Sequence, residues 1–135
     1  MRIFLDANVL VSAFASRGLC ADLLEVVLLE QELILGRHVL REVSKALRQK
    51  LRLPHTRATE IAEFLSGEAV QIVEESEPSD ARVDADDALV LGEAIAGHAR
   101  VFVTGDAAIL RLGSIPKLDV VSPRQFWELL HSTRK

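Results

Sequence analysis

Short apolar runs alternate with longer segments of helical periodicity along this chain. The two most hydrophobic runs cover residues 2–5, followed by Asp6, and residues 101–103, followed by Thr104-Gly105-Asp106. Apolar runs that end in polar, turn-forming residues are typical of buried parallel strands. Three weaker strands are predicted over 32–35, 69–73 and 118–121.

Apolar residues spaced three and four positions apart fill most of the remaining chain, and this spacing indicates helices. The predicted helices cover 19–30, 38–50, 57–66, 87–98 and 123–131. An acidic stretch over 74–86, which contains Pro78, is predicted to be a loop. Strands that alternate with helices predict an α/β domain around a mostly parallel sheet. A length of 135 residues predicts a single domain over 1–135.

The composition is that of a globular domain with an aliphatic core. Hydrophobic residues make up 49%, charged residues 27% and aromatic residues 4%, which excludes a disordered chain or a disulfide-rich scaffold. The single cysteine, Cys20, cannot form an internal disulfide, which suits a reducing compartment. The sequence has no signal-peptide pattern and no run near the roughly 18 apolar residues that cross a bilayer. We therefore expect a cytoplasmic protein that does not bind membranes.

The charged residues are separated along the chain, although the net charge is only −4. Between 37 and 57 there are seven basic residues and one acid, Glu42. Between 74 and 87 there are seven acids and one base, Arg82. This separation predicts a surface of two signs, with room for an anionic partner beside an acidic pocket.

Asp6 and Asp106 follow the two most hydrophobic strands. Ligands of open parallel sheets bind at the carboxyl ends of the strands, so the two carboxylates meet there if the strands are neighbours. Either residue alone is explained as a turn former or a helix cap. Two of them, at the two most apolar strand ends, favour a functional site.

A third acidic group precedes the most apolar helix. Its residues are Asp84, Asp86 and Asp87, and Glu93 is the only charged residue of the helix before His98. Capping and the helix dipole explain one or two of these acids, and three exceed that need. Glu42 lies between the apolar and basic faces of the 38–50 helix. Spacing alone leaves open whether Glu42 joins the site or forms a surface ion pair with Lys45 or Arg41.

Several carboxylates in one place repel each other unless a cation joins them. Hard oxygen ligands select Mg²⁺ or Mn²⁺, and two such ions about 4 Å apart activate water and stabilise the leaving oxygen of a phosphodiester. The histidines occur singly and are interpreted as surface or packing residues: His38, His55, His98 and His131. The basic side of the 38–50 helix is either a solvated face or a phosphate-binding surface. Its residues are Arg37, Arg41, Lys45 and Arg48.

These pieces resemble the PIN-domain family, in particular the PIN-type toxin components of bacterial and archaeal toxin–antitoxin modules. The matching segments, in the family's order, are Ile3-Phe4-Leu5-Asp6-Ala7-Asn8-Val9-Leu10-Val11-Ser12-Ala13, Glu42, Asp86-Asp87-Ala88-Leu89-Val90-Leu91, Val103-Thr104-Gly105-Asp106 and Ser122-Pro123-Arg124-Gln125-Phe126. The resemblance implies a three-layer α/β/α fold with a sheet of about five strands. It also implies a ribonuclease that uses one or two Mg²⁺ or Mn²⁺ ions to cut single-stranded or loop RNA.

The resemblance assigns particular residues to the site. The catalytic and metal-binding acids are expected to be Asp6, Glu42, Asp87 and Asp106, and the supporting residues are expected to be Asn8, Ser12 and Thr104. A homodimer and a protein antitoxin are the expected partners, with RNA as the substrate. The sequence departs from the family at Ala7, where Thr is common, and at Ala107 and Ala108, where a further acid or amide is common. The departure at Ala107 and Ala108 predicts weaker binding of a second ion.

Two other functions are weighed against the nuclease. A PIN-like module could bind RNA or a protein without cutting, although retention of all four acids counts against this. A phosphatase of the haloacid-dehalogenase type is suggested by residues 3–8, which resemble its nucleophile strand. Against it, Asn8 stands where that family needs an acid, and no Gly-Thr pair follows.

Overall fold

A computed structural model describes residues 1–132. In chain order the elements are β1 Arg2–Leu5, α1 Ala7–Ala15, α2 Leu19–Glu30, β2 Glu32–Gly36, α3 Arg37–Gln49, α4 His55–Glu68, β3 Gln71–Val73, α5 Ala85–Ala96, β4 Val101–Val103, α6 Ala107–Leu110, β5 Ser114–Ile115, β6 Leu118–Val121 and α7 Pro123–Ser132. The single domain predicted over 1–135 includes 133–135, which lie outside the described residues.

The strands form one sheet in the order β3-β2-β1-β4-β6-β5. All pairings are parallel except β5 with β6, which is antiparallel. The expectation of about five strands is therefore one short, because β5 has only two residues. It forms a tight hairpin with β6 through Lys117, whose φ of 67° lies in the left-handed region. Two residues are too few for an alternating pattern, so the sequence gives no sign of β5.

The strand order explains the three layers. From β1 the chain steps to β2 and then β3, and afterwards it returns across β1 to β4 and β6. Crossovers between parallel strands are right-handed, so steps in opposite directions place their helices on opposite faces of the sheet. This arrangement confirms the predicted three-layer α/β/α fold. The reversal lies between β1 and β4, where a crevice opens at the carboxyl ends of the strands.

Aromatic packing fixes the two central strands. Phe4 of β1 and Phe102 of β4 are register partners, and both are fully buried. Their rings stack with centroids 5.4 Å apart and planes 10° apart. Beyond this pair the Asp6 amide donates to the Val103 carbonyl at 3.0 Å. The register therefore brings the residues that follow β1 and β4 side by side.

The helix that carries the third acidic group begins earlier than predicted. α5 covers Ala85–Ala96, with Asp84 as its N-cap and Gly97 after its last residue. The Asp84 side chain accepts a hydrogen bond from the Asp87 amide at 2.9 Å, so the first turn forms around the acids. The predicted placement of Gly97 within this helix is wrong. None of the helices within residues 1–132 is long and apolar enough to span a membrane.

Candidate functional site

A cleft of about 730 Å³ lies where β1 and β4 end. All four predicted acids line it: Asp6, Glu42, Asp87 and Asp106. They come from the end of β1, from α3, from the first turn of α5 and from the end of β4. The strand reversal supplies the first and last acids, and the packing of α3 and α5 supplies the other two. Residues up to a hundred positions apart thus share one cleft.

Asp6 is buried and held by three hydrogen bonds. Its Oδ1 accepts from the Ala7 amide at 2.8 Å, and its Oδ2 accepts from the Thr104 hydroxyl at 2.7 Å and from the Asn8 side-chain amide at 3.0 Å. Burial raises the pKa of Asp6, while these hydrogen bonds oppose the rise and Asp106 adds to it. The carboxylate is therefore fixed in orientation at the floor of the cleft.

The fully buried Thr104 hydroxyl joins the two strand ends. Besides donating to Asp6, it accepts from the Asp106 amide at 3.0 Å and from the Asn8 side chain at 3.3 Å. The Asn8 side-chain oxygen in turn accepts from the Gly105 amide at 2.8 Å. Ser12 lines the same cleft. Asn8 and Thr104 thus contact the acids directly, and Ser12 lies beside them.

Asp106 caps α6 as well as lining the cleft. Its Oδ1 accepts from the amides of Ala108 and Ile109 at 2.8 and 3.2 Å. Neither bond uses Oδ2, so that oxygen is free of the cap. Asp6 is likewise the N-cap of α1. Both residues are helix caps and cleft acids together, so the two interpretations of the sequence are compatible.

The three acids at the start of α5 have different roles. Asp84 caps the helix, Asp86 is exposed, and Asp87 is half-buried in the cleft. Burial, together with the negative charge of neighbouring carboxylates that include Asp6 and Asp106, raises the pKa of Asp87 to about 6. Asp87 is the one of the three that the sequence resemblance assigns to the site, and the exposed Asp86 lines the cleft as well.

Glu42 lines the same cleft and lies near the other carboxylates. Burial raises its pKa to about 7, with contributions from Asp6, Asp86 and Asp87. Mutual repulsion of this kind shows that the carboxylates are within electrostatic reach of one another. Carboxylate oxygens are the ligands that hard divalent cations prefer, and a bound cation would relieve this repulsion. Within the described residues, the basic side chain found within 4.0 Å of the Glu42 carboxylate is that of His38, rather than that of Lys45 or Arg41.

The sequence analysis interpreted His38 as a surface or packing residue and did not select Asp86 for the site. The His38 Nε2 lies 3.2 Å from the Asp86 Oδ1. Among the described residues, His38, Glu42 and Asp86 form the group whose possible ligand atoms all lie within 4.8 Å of one another. The predicted quartet shares only Glu42 with this group. The four-residue spacing of His38 and Glu42 on one helix is the signal that indicates their proximity.

Glu93 supports the cleft from behind. This buried residue of α5 accepts hydrogen bonds from the His38 and Val39 amides at 2.7 and 3.1 Å. It thereby caps α3, whose N-cap residue Gly36 has no side chain to do so. A Cβ at Gly36 would lie 2.1 Å from the Glu93 carboxyl carbon, so only glycine permits this approach. Between Ala88 and Ala96 of α5, Glu93 is the one charged residue, which is the sequence signal that it has a specific buried partner.

The predicted basic residues line a groove between α3 and α4: Arg37, Arg41, Lys45 and Arg48. Arg41 and Lys45 also line the acidic cleft, together with Lys50, which sequence reasoning did not select. Arg37 is engaged elsewhere, because its guanidinium binds the Glu74 carboxylate at 2.7 and 2.9 Å. The groove and the cleft therefore meet at Arg41 and Lys45.

Comparison with known proteins agrees with this architecture. VapBC2 from Rickettsia felis, bound to a DNA fragment from its promoter, matches with a TM-score of 0.65 and 17% identity over 90% of this chain and 98% of that one. FitAB bound to an IR36 DNA fragment matches with a TM-score of 0.60 and 18% identity over 90% of this chain and 94% of that one. No curated protein matches the chain significantly in sequence. The family model of the PIN domain matches residues 2–108, a span that holds all four cleft acids, and the chain belongs to the PIN domain family.

Proposed function

We propose that this protein is a metal-dependent endoribonuclease that hydrolyses single-stranded or loop RNA. The observation that carries the proposal is the gathering of Asp6, Glu42, Asp87 and Asp106 in one cleft at the strand reversal. Membership of the PIN family supports it, because PIN domains are generally nucleases. Phosphodiester hydrolysis at such a site needs no nucleophilic side chain, because water is the attacking group.

The four acids would hold one or two Mg²⁺ or Mn²⁺ ions. When bound, such an ion lowers the pKa of water and stabilises the charge on the leaving oxygen. Thr104 and Asn8 fix the Asp6 carboxylate, and the α6 cap fixes Asp106, so neither must be ordered during the reaction. Glu42, with its raised pKa, is suited either to bind an ion or to orient the attacking water.

The basic residues at the edge of the cleft would position the RNA. Arg41 and Lys45 lie between the acidic cleft and the α3/α4 groove, so a phosphate backbone in that groove would lead to the acids. Contacts of this kind fix the register of a nucleic acid without reading its sequence. Arg37 and Arg48 extend the same basic row along α3, although Arg37 would have to give up Glu74 to bind a phosphate.

The structural neighbours support a more specific role. VapBC2 and FitAB are toxin–antitoxin complexes, and this chain shares their fold. We infer that the chain is the toxin of such a pair, that it acts in the cytoplasm, that it forms a homodimer, and that a protein antitoxin silences it. The alternative of a PIN-like module that binds RNA without cutting is an outcome of the test below.

The test is digestion of single-stranded RNA by the purified protein with Mn²⁺. We expect cleavage in Mn²⁺, loss of cleavage in EDTA, and a loss of about 100-fold or more in Asp6→Asn, in line with the removal of a charged catalytic group. Asp22→Asn, at an exposed acid of α2, is the matched control and keeps full activity. Cleavage by Asp6→Asn at the wild-type rate contradicts the assignment, and RNA binding with no cleavage in any metal favours the binding module.

A further inference from the structure

A nitrogen ligand and two oxygen ligands converge on one side of the cleft. His38 and Glu42 stand one turn apart on α3, and Asp86 comes from the first turn of α5. The His38 Nε2 lies 3.2 Å from the Asp86 Oδ1 and 4.0 Å from the Glu42 Oε2. All three ligand atoms lie within 4.8 Å of one another. Two helices therefore contribute to one compact donor group.

The His38 Nε2 atom is buried and has no hydrogen-bond partner within the described structure. Its 3.2 Å approach to Asp86 lacks the alignment of a hydrogen bond. A buried polar atom without a partner is unfavourable unless another group satisfies it. The ring nitrogen thus points to a ligand that the side chains themselves do not supply.

Two of the three separations between these atoms fit ligands of a single ion. Nitrogen and oxygen ligands lie about 2.0–2.2 Å from Zn²⁺, so two ligands of one ion are separated by roughly 3–4.4 Å. The distances from Nε2 to the Asp86 and Glu42 oxygens fall in that range. Imidazole binds Zn²⁺ and related transition metals, whereas Mg²⁺ prefers oxygen ligands alone.

The framework around these ligands is preorganised. Glu93 of α5 accepts hydrogen bonds from the His38 and Val39 amides, and this contact locks the start of α3 against α5. The backbone positions of His38 and Asp86 are therefore set without any help from an ion pair between their side chains. A metal would find its protein ligands already close together.

We propose that His38, Glu42 and Asp86 bind a transition-metal ion such as Zn²⁺ at the α3 edge of the cleft. This position is separate from the one that Asp6, Asp87 and Asp106 would provide, and the two share Glu42. The inference rests on the proposed function only through that shared residue. Three protein ligands leave open coordination positions, as in zinc sites that also bind water or substrate.

The test measures binding of Zn²⁺ alone to the metal-free full chain by equilibrium dialysis. Wild type is expected to bind an equivalent of Zn²⁺ whose affinity falls about tenfold or more in His38→Gln and in Asp86→Asn. Asp106→Asn is expected to keep this equivalent, and His55→Gln, at an exposed histidine of α4, serves as the matched control. Thermal unfolding without metal checks that each variant is folded.

Nitrogen-15 NMR of the imidazole rings gives a second readout. The chain has four histidines, and the His38→Gln spectrum identifies the ring signals of His38. Zn²⁺ is expected to shift the His38 Nε2 resonance, while Mg²⁺ at the same concentration leaves it unchanged.

Two results overturn the proposal. The first is Zn²⁺ binding by His38→Gln equal to that of wild type, together with no Zn²⁺-induced shift of the His38 ring nitrogen in wild type. The other is equal loss of Zn²⁺ in Asp106→Asn and His38→Gln, which indicates one ion for the whole cleft. If Asp6→Asn still cuts RNA while Zn²⁺ binding depends on His38, the nuclease proposal fails and the metal site stands.

Discussion

Removal of the Glu93 carboxylate tests whether α5 holds α3 in place. Glu93 is 3% exposed, and its two oxygens accept from the His38 and Val39 amides at 2.7 and 3.1 Å. In Glu93→Ala both amides lose their acceptor, and Gly36 has no side chain to replace it. In Glu93→Gln one oxygen remains, and the amide nitrogen of the new side chain faces the second N–H.

The expected loss of stability follows from these contacts. A buried donor without a partner costs about 1–3 kcal/mol, so two of them cost roughly 2–6 kcal/mol. Burial raises the pKa of Glu93, so the carboxylate is itself unfavourable to bury, and its removal offsets part of this cost. We expect Glu93→Ala to lower the free energy of unfolding by about 2–4 kcal/mol and Glu93→Gln by about 1–3 kcal/mol.

Urea unfolding measures these differences. Glu25→Ala, at an exposed position of α2, is the control and is expected to remain within about 0.5 kcal/mol of wild type. Hydrogen exchange provides a local readout, because the His38 and Val39 amides should exchange faster in Glu93→Gln than in wild type. If both Glu93 variants unfold like the control and these amides keep their protection, the cap does not stabilise α3 and our reasoning is wrong.

Two further predictions concern the cleft acids. Burial and repulsion raise the pKa of Asp6, Glu42 and Asp87, so the folded chain binds protons more tightly than the unfolded chain. The free energy of unfolding of the metal-free protein, measured in urea, should therefore rise as the pH falls from about 8 to about 5. Mn²⁺ should stabilise the protein more at the upper pH, and a steady loss of metal-free stability over this range contradicts the predicted repulsion. Thr104→Val should lower the free energy of unfolding by about 2–4 kcal/mol, because Asp6 and the Asp106 amide each lose a buried partner. Thr104→Ser keeps the hydroxyl and is the control in the same unfolding assay, and equal stability of the two variants contradicts this account.

The elements that the sequence predicts well have strong local signals. β1 and β4 are short apolar runs closed by polar residues, and the structure places both at the predicted positions, as it does β6, which carries the exposed Asp119. α2 is likewise found over 19–30. Such signals need no knowledge of the rest of the chain, because a strand buried on both faces of a parallel sheet is apolar throughout.

Other elements have no local signal. α1 is almost entirely apolar, so its residues show no alternation between a polar and an apolar face, and its start depends on the Asp6 cap. α6 has four residues and depends in the same way on Asp106. β5 has two residues and is defined only by its pairing with β6. Short or uniformly apolar segments acquire their structure from neighbours distant in sequence.

The sequence by itself determined the α/β alternation and the presence of acids at two strand ends and one helix start. Those features depend on residue type and short-range spacing, which the chain carries locally. Only the tertiary structure decided that Glu42 faces the cleft, that His38 and Asp86 lie beside it, and that Glu93 caps α3. Each of these outcomes depends on how α3 packs against α5. These two helices are separated in the chain by α4 and β3, and no spacing of residues along the sequence encodes their relative position.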